Sequence, residues 1–408
     1  MRQILLTGAT GFVGGFLLQE LLSQTEAVVH CLVRSPNPAE AQRKLENHLE
    51  QCQIPWEQWR DRILALPGDL AQPRLGLSPE QHQRLAQDID VIYHNGAYVN
   101  LIYPYRALRS ANVQGSVELL RLASEIKLKS LHYISTLDVI YGKTGPGKTG
   151  FIAEARHNPD HLPPSPDLGS DYARSKWVTE QLLQQARSRG IPCHIYRLGM
   201  TTGHSQTGFS NANDMFGRLL QGLVQLQAAP QESFALNLSP VDGVCRAIVG
   251  LGIGQLTQTA QTAQTAQTAQ ALGQTYQIFQ AQAIHLSDII QALRQRGYTL
   301  ASRPYGDWQA EISAHAQTNA LGPLLGDPAP DPDQNQIPDF FNVMDLGQVV
   351  PHGLQGDRAS LAWPQPGIQN IQRYIDYFIR VGSLPAPKSP HLSQPGLSKS
   401  GSMGNNNG

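Results

Sequence analysis

The stretch Thr7-Gly8-Ala9-Thr10-Gly11-Phe12-Val13-Gly14 comes directly after the apolar run Ile4–Leu6 and opens a helix-like segment, Phe12–Ser23. Glycines in that rhythm, between a strand and a helix, leave few choices. The first makes a tight turn, the second lets the backbone approach a pyrophosphate, and the third lets the helix pack closely on the strand. The helix start then presents unpaired N–H groups and a partial positive charge to phosphate oxygens. We therefore expect a dinucleotide-binding unit at the N-terminus, with Thr7, Gly8, Thr10, Gly11, Phe12, Val13 and Gly14 against the cofactor.

The same alternation continues through the first half of the chain. Ala27–Val33, Arg62–Leu66, Asp90–His94, Leu131–Ser135 and Cys193–Leu198 are short apolar runs bounded by Gly, Pro or polar residues, the pattern of buried strands. Pro38–Gln51, Leu108–Glu125 and Tyr172–Ser188 are spaced as helices between them. Strand–helix alternation of this kind gives parallel strands with crossover helices on both faces. The expected fold class is α/β: a Rossmann, doubly wound parallel sheet with a smaller C-terminal substrate-binding part. The expected organisation is a cofactor-binding and catalytic domain over 1–250, a low-complexity linker over 251–271 built on a Gln-Thr-Ala repeat, a substrate-binding part over 272–383 that folds partly back onto the sheet, and a disordered Pro-, Ser-, Gly- and Asn-rich tail over 384–408.

Composition narrows the partners. The formal net charge is −1 over 408 residues, so no basic footprint for nucleic acid or an anionic membrane is expected. The glycines at 8, 11 and 14 interrupt the apolar N-terminus, and no apolar run is long enough to span a bilayer. Cys31, Cys52, Cys193 and Cys245 are far apart, with neither metal-site spacing nor a disulfide framework. A cytoplasmic protein without a bound metal is the expectation.

Cofactor choice is read at the end of the second strand. A carboxylate roughly 20 residues after the glycines would select NAD by binding its ribose hydroxyls. Arg34 stands there instead, and a forked guanidinium suits the extra phosphate of NADP(H). Lys44, or Arg43 beside it, can reach the same phosphate from the next helix. NADPH is thus the expected cofactor. Asp69 and Leu70, after the third strand, are placed near the adenine. Asn95, Gly96 and Ala97, after the fourth, are small enough to let the backbone pass close to the cofactor.

Tyr172 and Lys176 lie four apart at the start of a helix and so on one face. A tyrosine of ordinary pKa is a poor acid–base near neutrality. A nearby ammonium and the positive nicotinamide of the oxidised cofactor would lower it, and the same lysine can hold the nicotinamide ribose. Ser135 and Thr136 end the fifth strand, where a hydroxyl can donate to a carbonyl oxygen gaining charge. Tyr172, Lys176 and one of these two hydroxyls make a carbonyl-reducing centre.

Taken together, the motifs TGATGFVG, LVR, GDL, HNGA, ANVQGS, YIST and DYARSK resemble the extended short-chain dehydrogenase/reductases. The longer stretches HNGAYVNLIYPYRALRSANVQGS, YISTLDV, SDYARSKWVTEQLL, YRLGMTTGHSQTG and LSPVDGVCRAIV are similar to thioester reductase domains of nonribosomal peptide synthetases and carboxylic acid reductases. The resemblance covers roughly residues 3–250. It implies Thr136, Tyr172 and Lys176 as the catalytic triad and Asn112 as a structural asparagine. It further implies reduction of an acyl thioester, on a carrier-protein phosphopantetheine arm, to an aldehyde or alcohol. Adenylation and carrier domains, usually fused to such reductases, are not in this sequence. A separate carrier protein, acyl-CoA or a free carbonyl compound are then the alternative substrates. Rival readings are a nucleotide-sugar epimerase or dehydratase of the same superfamily, and an NADP-binding redox sensor without chemistry.

Two motifs are judged coincidental. Gly142–Thr149 fits the phosphate-binding pattern GxxxxGK followed by Thr, but Pro159, Pro163, Pro164 and Pro166 leave no room for the long helix such a loop needs. His157 and His161 have zinc-helix spacing, with Pro159 between them to oppose the helix. The expected outcome for Lys148→Ala is unchanged nucleotide binding; saturable, magnesium-dependent ATP binding that this substitution abolishes would show a working phosphate loop.

Overall fold

All six apolar runs become strands of one parallel sheet: β1 (Gln3–Thr7), β2 (Val28–Val33), β3 (Ile63–Pro67), β4 (Val91–His94), β5 (Ser130–Thr136) and β6 (Cys193–Leu198). A seventh, β7 (Thr275–Ile278), adds to β6, and the order is β7-β6-β5-β4-β1-β2-β3. The computed structural model describes residues 2–145, 148–163, 167–262, 272–325 and 367–387. Both faces of the sheet are covered, so Leu5, Leu6, Cys31, Ile92, Leu131 and Ile195 are shut off from solvent. The chain reverses its direction of travel across the sheet between β1 and β4, which opens a crevice at the carboxyl ends of the strands. Register places Thr7 beside Leu32 and His94, and Thr136 beside Leu198, so the loops after these strands emerge along one edge.

The covering helices begin where the local chemistry lets them. α1 (Phe12–Gln24) starts on the glycine turn. α2 (Pro38–Gln51) has Pro at its start and Asn37 accepting from Glu40 N. α3 (Pro79–Asp88) was not expected from its polar sequence; its signal is the capping box between Ser78 and Gln81. α4 (Tyr105–Arg109) and α5 (Gly115–Ser124) form one run joined by a π-helical turn, Ser110–Gln114. α6 (Asp171–Ser188) is capped by Ser170 and carries Tyr172 and Lys176 in its first two turns.

Beyond β6 a second core forms. It joins α7 (Met215–Leu226) to three later helices, α9 (Leu286–Gln295), α10 (Tyr305–Ala314) and α11 (Ile368–Arg380), around Phe216, Leu223, Ile289, Leu293, Trp308 and Phe378. Between α7 and α9, α8 (Val241–Thr262) returns to the sheet and packs Val244, Ile248 and Leu251 into the core that holds Phe16 and Leu17. The expected boundary at residue 250 therefore does not separate the two cores: α7, before it, belongs to the smaller lobe, and β7, after it, completes the sheet. The expected 251–271 linker is helical as far as Thr262; residues 263–271 lie outside the described ones. Leu384 and Pro385, which the sequence reading places in the tail, are held by the smaller lobe: Leu384 is buried and Tyr298 donates to Pro385 O at 2.6 Å; residues 388–408 lie outside the described ones. No helix among the described residues is long and apolar enough to cross a membrane.

The phosphate-loop look-alike is part of a hairpin: Tyr141–Gly145 and Lys148–Phe151 pair antiparallel, so a strand takes the place of the long helix that a phosphate loop opens. His157 ends a short helix, Ala153–His157, and His161 lies past it.

One buried ion pair fastens α6 to the sheet. Glu180 accepts from Arg197 on β6 through Nη2 at 2.7 Å and Nε at 3.1 Å, and from Ser135 Oγ on β5 at 2.6 Å; both charged side chains have no solvent exposure. Breaking such a pair strands a charge in a medium that solvates it poorly. Arg197→Met is expected to lower unfolding free energy by about 3–5 kcal/mol, read from denaturant titration; a loss below about 1 kcal/mol, the scale of an exposed pair, would mean the site is hydrated.

Candidate active site

At the tip of β1 two loops meet backbone to backbone. Gly8 has φ +75°, and a Cβ there would lie 2.7 Å from Gly96 Cα; a Cβ on Gly14 would overlap Gly8 O. Only glycine satisfies both contacts. Thr7 accepts from Gly96 N at 2.9 Å and bonds His94 Nδ1 at 2.8 Å. Ser116 donates to Asn112 O, so His94 Nε2 donates to Ser116 Oγ at 2.9 Å and Nδ1 accepts from Thr7. The ring is neutral: burial, and then the Lys176 ammonium, push its pKa down to about 3. Asn95 spends its amide on Gly8 O at 3.2 Å. Leu70 packs its side chain beside Gly96, and Ala97 comes next in the same loop.

This turn lies at one end of a cleft. Thr10, Arg34, Lys44 and His48 line one stretch of it; Arg34, Lys44, Gly68 and Asp69 line the next. Lys44 donates to Arg34 O at 3.2 Å and pairs with Glu40, whereas Arg43 is mostly exposed and pairs only loosely with Glu40. Asp69 accepts from Ala71 N at 2.9 Å, so one of its oxygens holds its own turn. The first turn of α1 carries no acidic residue, and nothing on it opposes an anion. The glycine contacts and the open helix start together fit the pyrophosphate of a dinucleotide, and Arg34 and Lys44 line the cleft beyond them. His48, which bonds Gly11 O at 3.0 Å, was not singled out from sequence; its signal is its position one turn after Lys44 on α2.

Around the corner is a cavity of about 350 Å³ lined by Thr136, Asp138, Tyr172, Met200, Asp214 and Met215, among others. Thr136 and Tyr172 both face it. Ser135 points the other way, to Glu180, so of the two hydroxyls only Thr136 can reach a ligand in this cavity. Lys176 stands behind, donating to Ile134 O at 2.7 Å and lying 4.6 Å from the Tyr133 ring centre and 6.0 Å from that of Tyr172. Burial drives its pKa down to about 7, against the upward pull of Glu180. Asn112 accepts from Tyr98 N at 2.7 Å and donates to Tyr98 O and Ser175 Oγ; Ser175 donates to Tyr172 O. That chain of bonds ties the start of α6 to the loop after β4.

Electrostatics at Tyr172 differ from the sequence expectation. Burial raises its pKa above the ordinary value and the Asp138 carboxyl pushes the same way; Lys176 does not offset them. The protein alone keeps Tyr172 protonated, the form a proton donor needs. Two carboxyls here were not anticipated. Asp138, which Thr136 bonds, is raised by burial. Asp214 caps α7 through Gly217 N at 2.7 Å and is pushed up to about 7 by burial. Asp138 had a readable signal, standing two residues after Thr136 between apolar neighbours; Asp214 reaches the cavity only through the folding of the smaller lobe.

The NAD-binding family described as male sterility protein matches residues 6–248. Over 389 residues the chain is 34% identical to a linear gramicidin synthase of Brevibacillus parabrevis, covering 93% of this chain and 7% of that protein. It is 35% identical to isonitrile lipopeptide synthase of Streptomyces coeruleorubidus, covering 96% and 26% respectively. The chain thus spans a small part of the curated relatives it matches. Among solved structures, the terminal R domain from the myxalamid PKS-NRPS biosynthetic pathway is 36% identical with a TM-score of 0.78, over 95% of this chain and 93% of that one.

The Lys176 ammonium is expected to titrate near pH 7, and Glu180→Gln, which removes the one upward influence, to move that titration lower. NMR of isotope-labelled lysine reads both values; an ordinary lysine titration in the wild type would contradict the burial argument.

Proposed function

The chain belongs to the NAD-binding family described as male sterility protein, and from that premise we propose that it is an NADPH-dependent reductase of acyl thioesters. It is an oxidoreductase of the extended short-chain dehydrogenase type that takes a nicotinamide cofactor. The observation that carries the finer reading is the cavity into which Thr136 and Tyr172 both turn, with Lys176 buried behind them. The substrate is an acyl group in thioester linkage to a carrier protein or CoA. The product is an aldehyde, or an alcohol after a second round.

In this reading Thr7, Gly8, Thr10, Gly11, Phe12, Val13 and Gly14 hold the pyrophosphate, and Arg34 with Lys44 takes the adenosine 2′-phosphate. Asp69 and Leu70 border the adenine, and Asn95, Gly96 and Ala97 let the backbone run close alongside. The cofactor, when bound, supplies the hydride. Thr136 and Tyr172 donate to the carbonyl oxygen as it gains charge, and Tyr172 gives it a proton. The hemithioacetal so formed returns that proton to Tyr172 as its C–S bond breaks. The thiolate leaves and takes a proton from water, and the net change consumes one NADPH and one proton per aldehyde and thiol. Lys176 stabilises the transient phenolate and holds the nicotinamide ribose.

The three residues should fail differently. Tyr172→Phe should lower kcat by about 10²–10⁴ with NADPH affinity kept. Thr136→Val should cost about 10²–10³ in rate. Lys176→Ala should lose both rate and cofactor affinity. Arg34→Ala should weaken NADPH binding about tenfold to a hundredfold and leave NADH binding unchanged. NADPH oxidation and aldehyde release with an acyl-pantetheine test these. Tight NADPH binding with no oxidation by any thioester or aldehyde would make the protein a sensor, and equal affinity for NADPH and NADH would remove the role of Arg34.

A further inference from the structure

The loop between β4 and α4 carries Tyr98, Val99, Leu101, Ile102 and Tyr103, all exposed, with Val99 at 65% and Ile102 at 66%. Apolar side chains clustered this way in solvent mark a surface meant to be covered. Nor is the loop loose. Asn112 holds Tyr98 at one end through N–H and C=O, and Asp171 accepts from Tyr105 N at 2.9 Å at the other. In the middle, Asn100 Oδ1 accepts from Ile102 N and Tyr103 N, an Asx turn that fixes the apolar residues outward. The Tyr98 and Tyr103 rings meet edge to face at 5.7 Å. The surface is therefore formed in advance, which spares a ligand the cost of ordering it.

Its location says what covers it. Val99, Leu101 and Ile102 also line the cavity that holds Thr136 and Tyr172, so the apolar surface is the continuation of that cavity toward solvent. The helix that leaves the loop then presents Arg106 and Arg109, three apart on one face and both exposed. Other cations of this neighbourhood are engaged: Arg174 pairs with Asp171 at 2.7 Å, and Arg218 donates to Asn213 O and Ala320 O. Arg106 and Arg109 have no ion-pair partner among the described residues. Along the chain, the apolar rim of the cavity is followed directly by these two guanidiniums.

We propose that this loop and the Arg106–Arg109 pair are the seat of a phosphopantetheine arm: the loop packs against the arm's apolar stretches, and the two guanidiniums take its phosphate. The forked donors of arginine match phosphate oxygens better than a lysine would. CoA and a carrier protein share this chemistry. The seat rests on the thioester reading above, of which it names the recognition end.

Two measurements test it. In the first, KM is compared for one acyl group on pantetheine, 4′-phosphopantetheine, CoA and a holo carrier protein. The wild type should favour acyl-phosphopantetheine over acyl-pantetheine by about tenfold, the value of a charge-assisted contact. That ratio should fall to near one in Arg106→Glu/Arg109→Glu, while Val99→Ser/Ile102→Ser should raise KM for both substrates and leave their ratio. Preference among the phosphorylated substrates identifies the source, CoA or carrier. A ratio of one in the wild type, or one that survives the charge reversal, overturns the proposal. The second is calorimetric binding of CoA, which needs no turnover. Binding that the arginine pair variant loses, in a protein that reduces no thioester, would keep the seat and sink the reductase reading; no difference in CoA binding between wild type and variant would sink the seat itself.

Discussion

The Glu180–Arg197 pair sets the position of almost everything chemical in this chain. Glu180 is one helical turn past Lys176 and two past Tyr172, so fixing Glu180 to β5 and β6 fixes the face of α6 that carries both. Removing a carboxylate and a guanidinium from water is costly, and only close geometry and further hydrogen bonds recover that cost. Ser135 supplies one of those bonds, and in doing so turns away from the cavity and leaves Thr136 as the available hydroxyl. One packing decision therefore selects the helix position, the donor and the electrostatic neighbour of Lys176.

A second constraint is purely steric. Gly8, Gly14 and Gly96 are packed where any Cβ would collide, and the Thr7–His94–Ser116 chain of hydrogen bonds holds that contact in place. A neutral His94 is well suited to this: it accepts from one hydroxyl and donates to another, with no charge to solvate. The two loops it fixes border the cleft on one side and the cavity on the other, so a single crossing positions the walls of both.

The cavity itself belongs to both cores. Its floor is the carboxyl edge of the sheet, with Thr136 and Leu198; its outer wall comes from the smaller lobe, with Asp214, Met215 and Arg218 at the start of α7. Its chemistry is apolar surface interrupted by two carboxyls that burial holds toward the neutral form. Tyr172 stays protonated in that setting, because burial and the Asp138 carboxyl both disfavour its phenolate. The acidifying influence expected of Lys176 on Tyr172 does not appear: both of these influences push the phenol's pKa upward.

Sequence by itself determined the sheet's first six strands, the glycine turn, the positions of Tyr172 and Lys176 on one helix face, and Arg34 where a carboxylate would select NAD. These are legible because each depends on neighbours within a few residues: strand runs, a turn's backbone, a helical repeat. The polar strand Thr275–Ile278, the return of Val241–Thr262 to the sheet and the division of the lobes were not legible. Nor were the choice of Thr136 over Ser135, the reach of Asp214 into the cavity, and the pull of burial on Tyr172 and Lys176. Those depend on what segments far apart in the chain bring together, and on how much water they exclude when they meet. Burial and long-range pairing have no period along a sequence, so only the tertiary structure decided them.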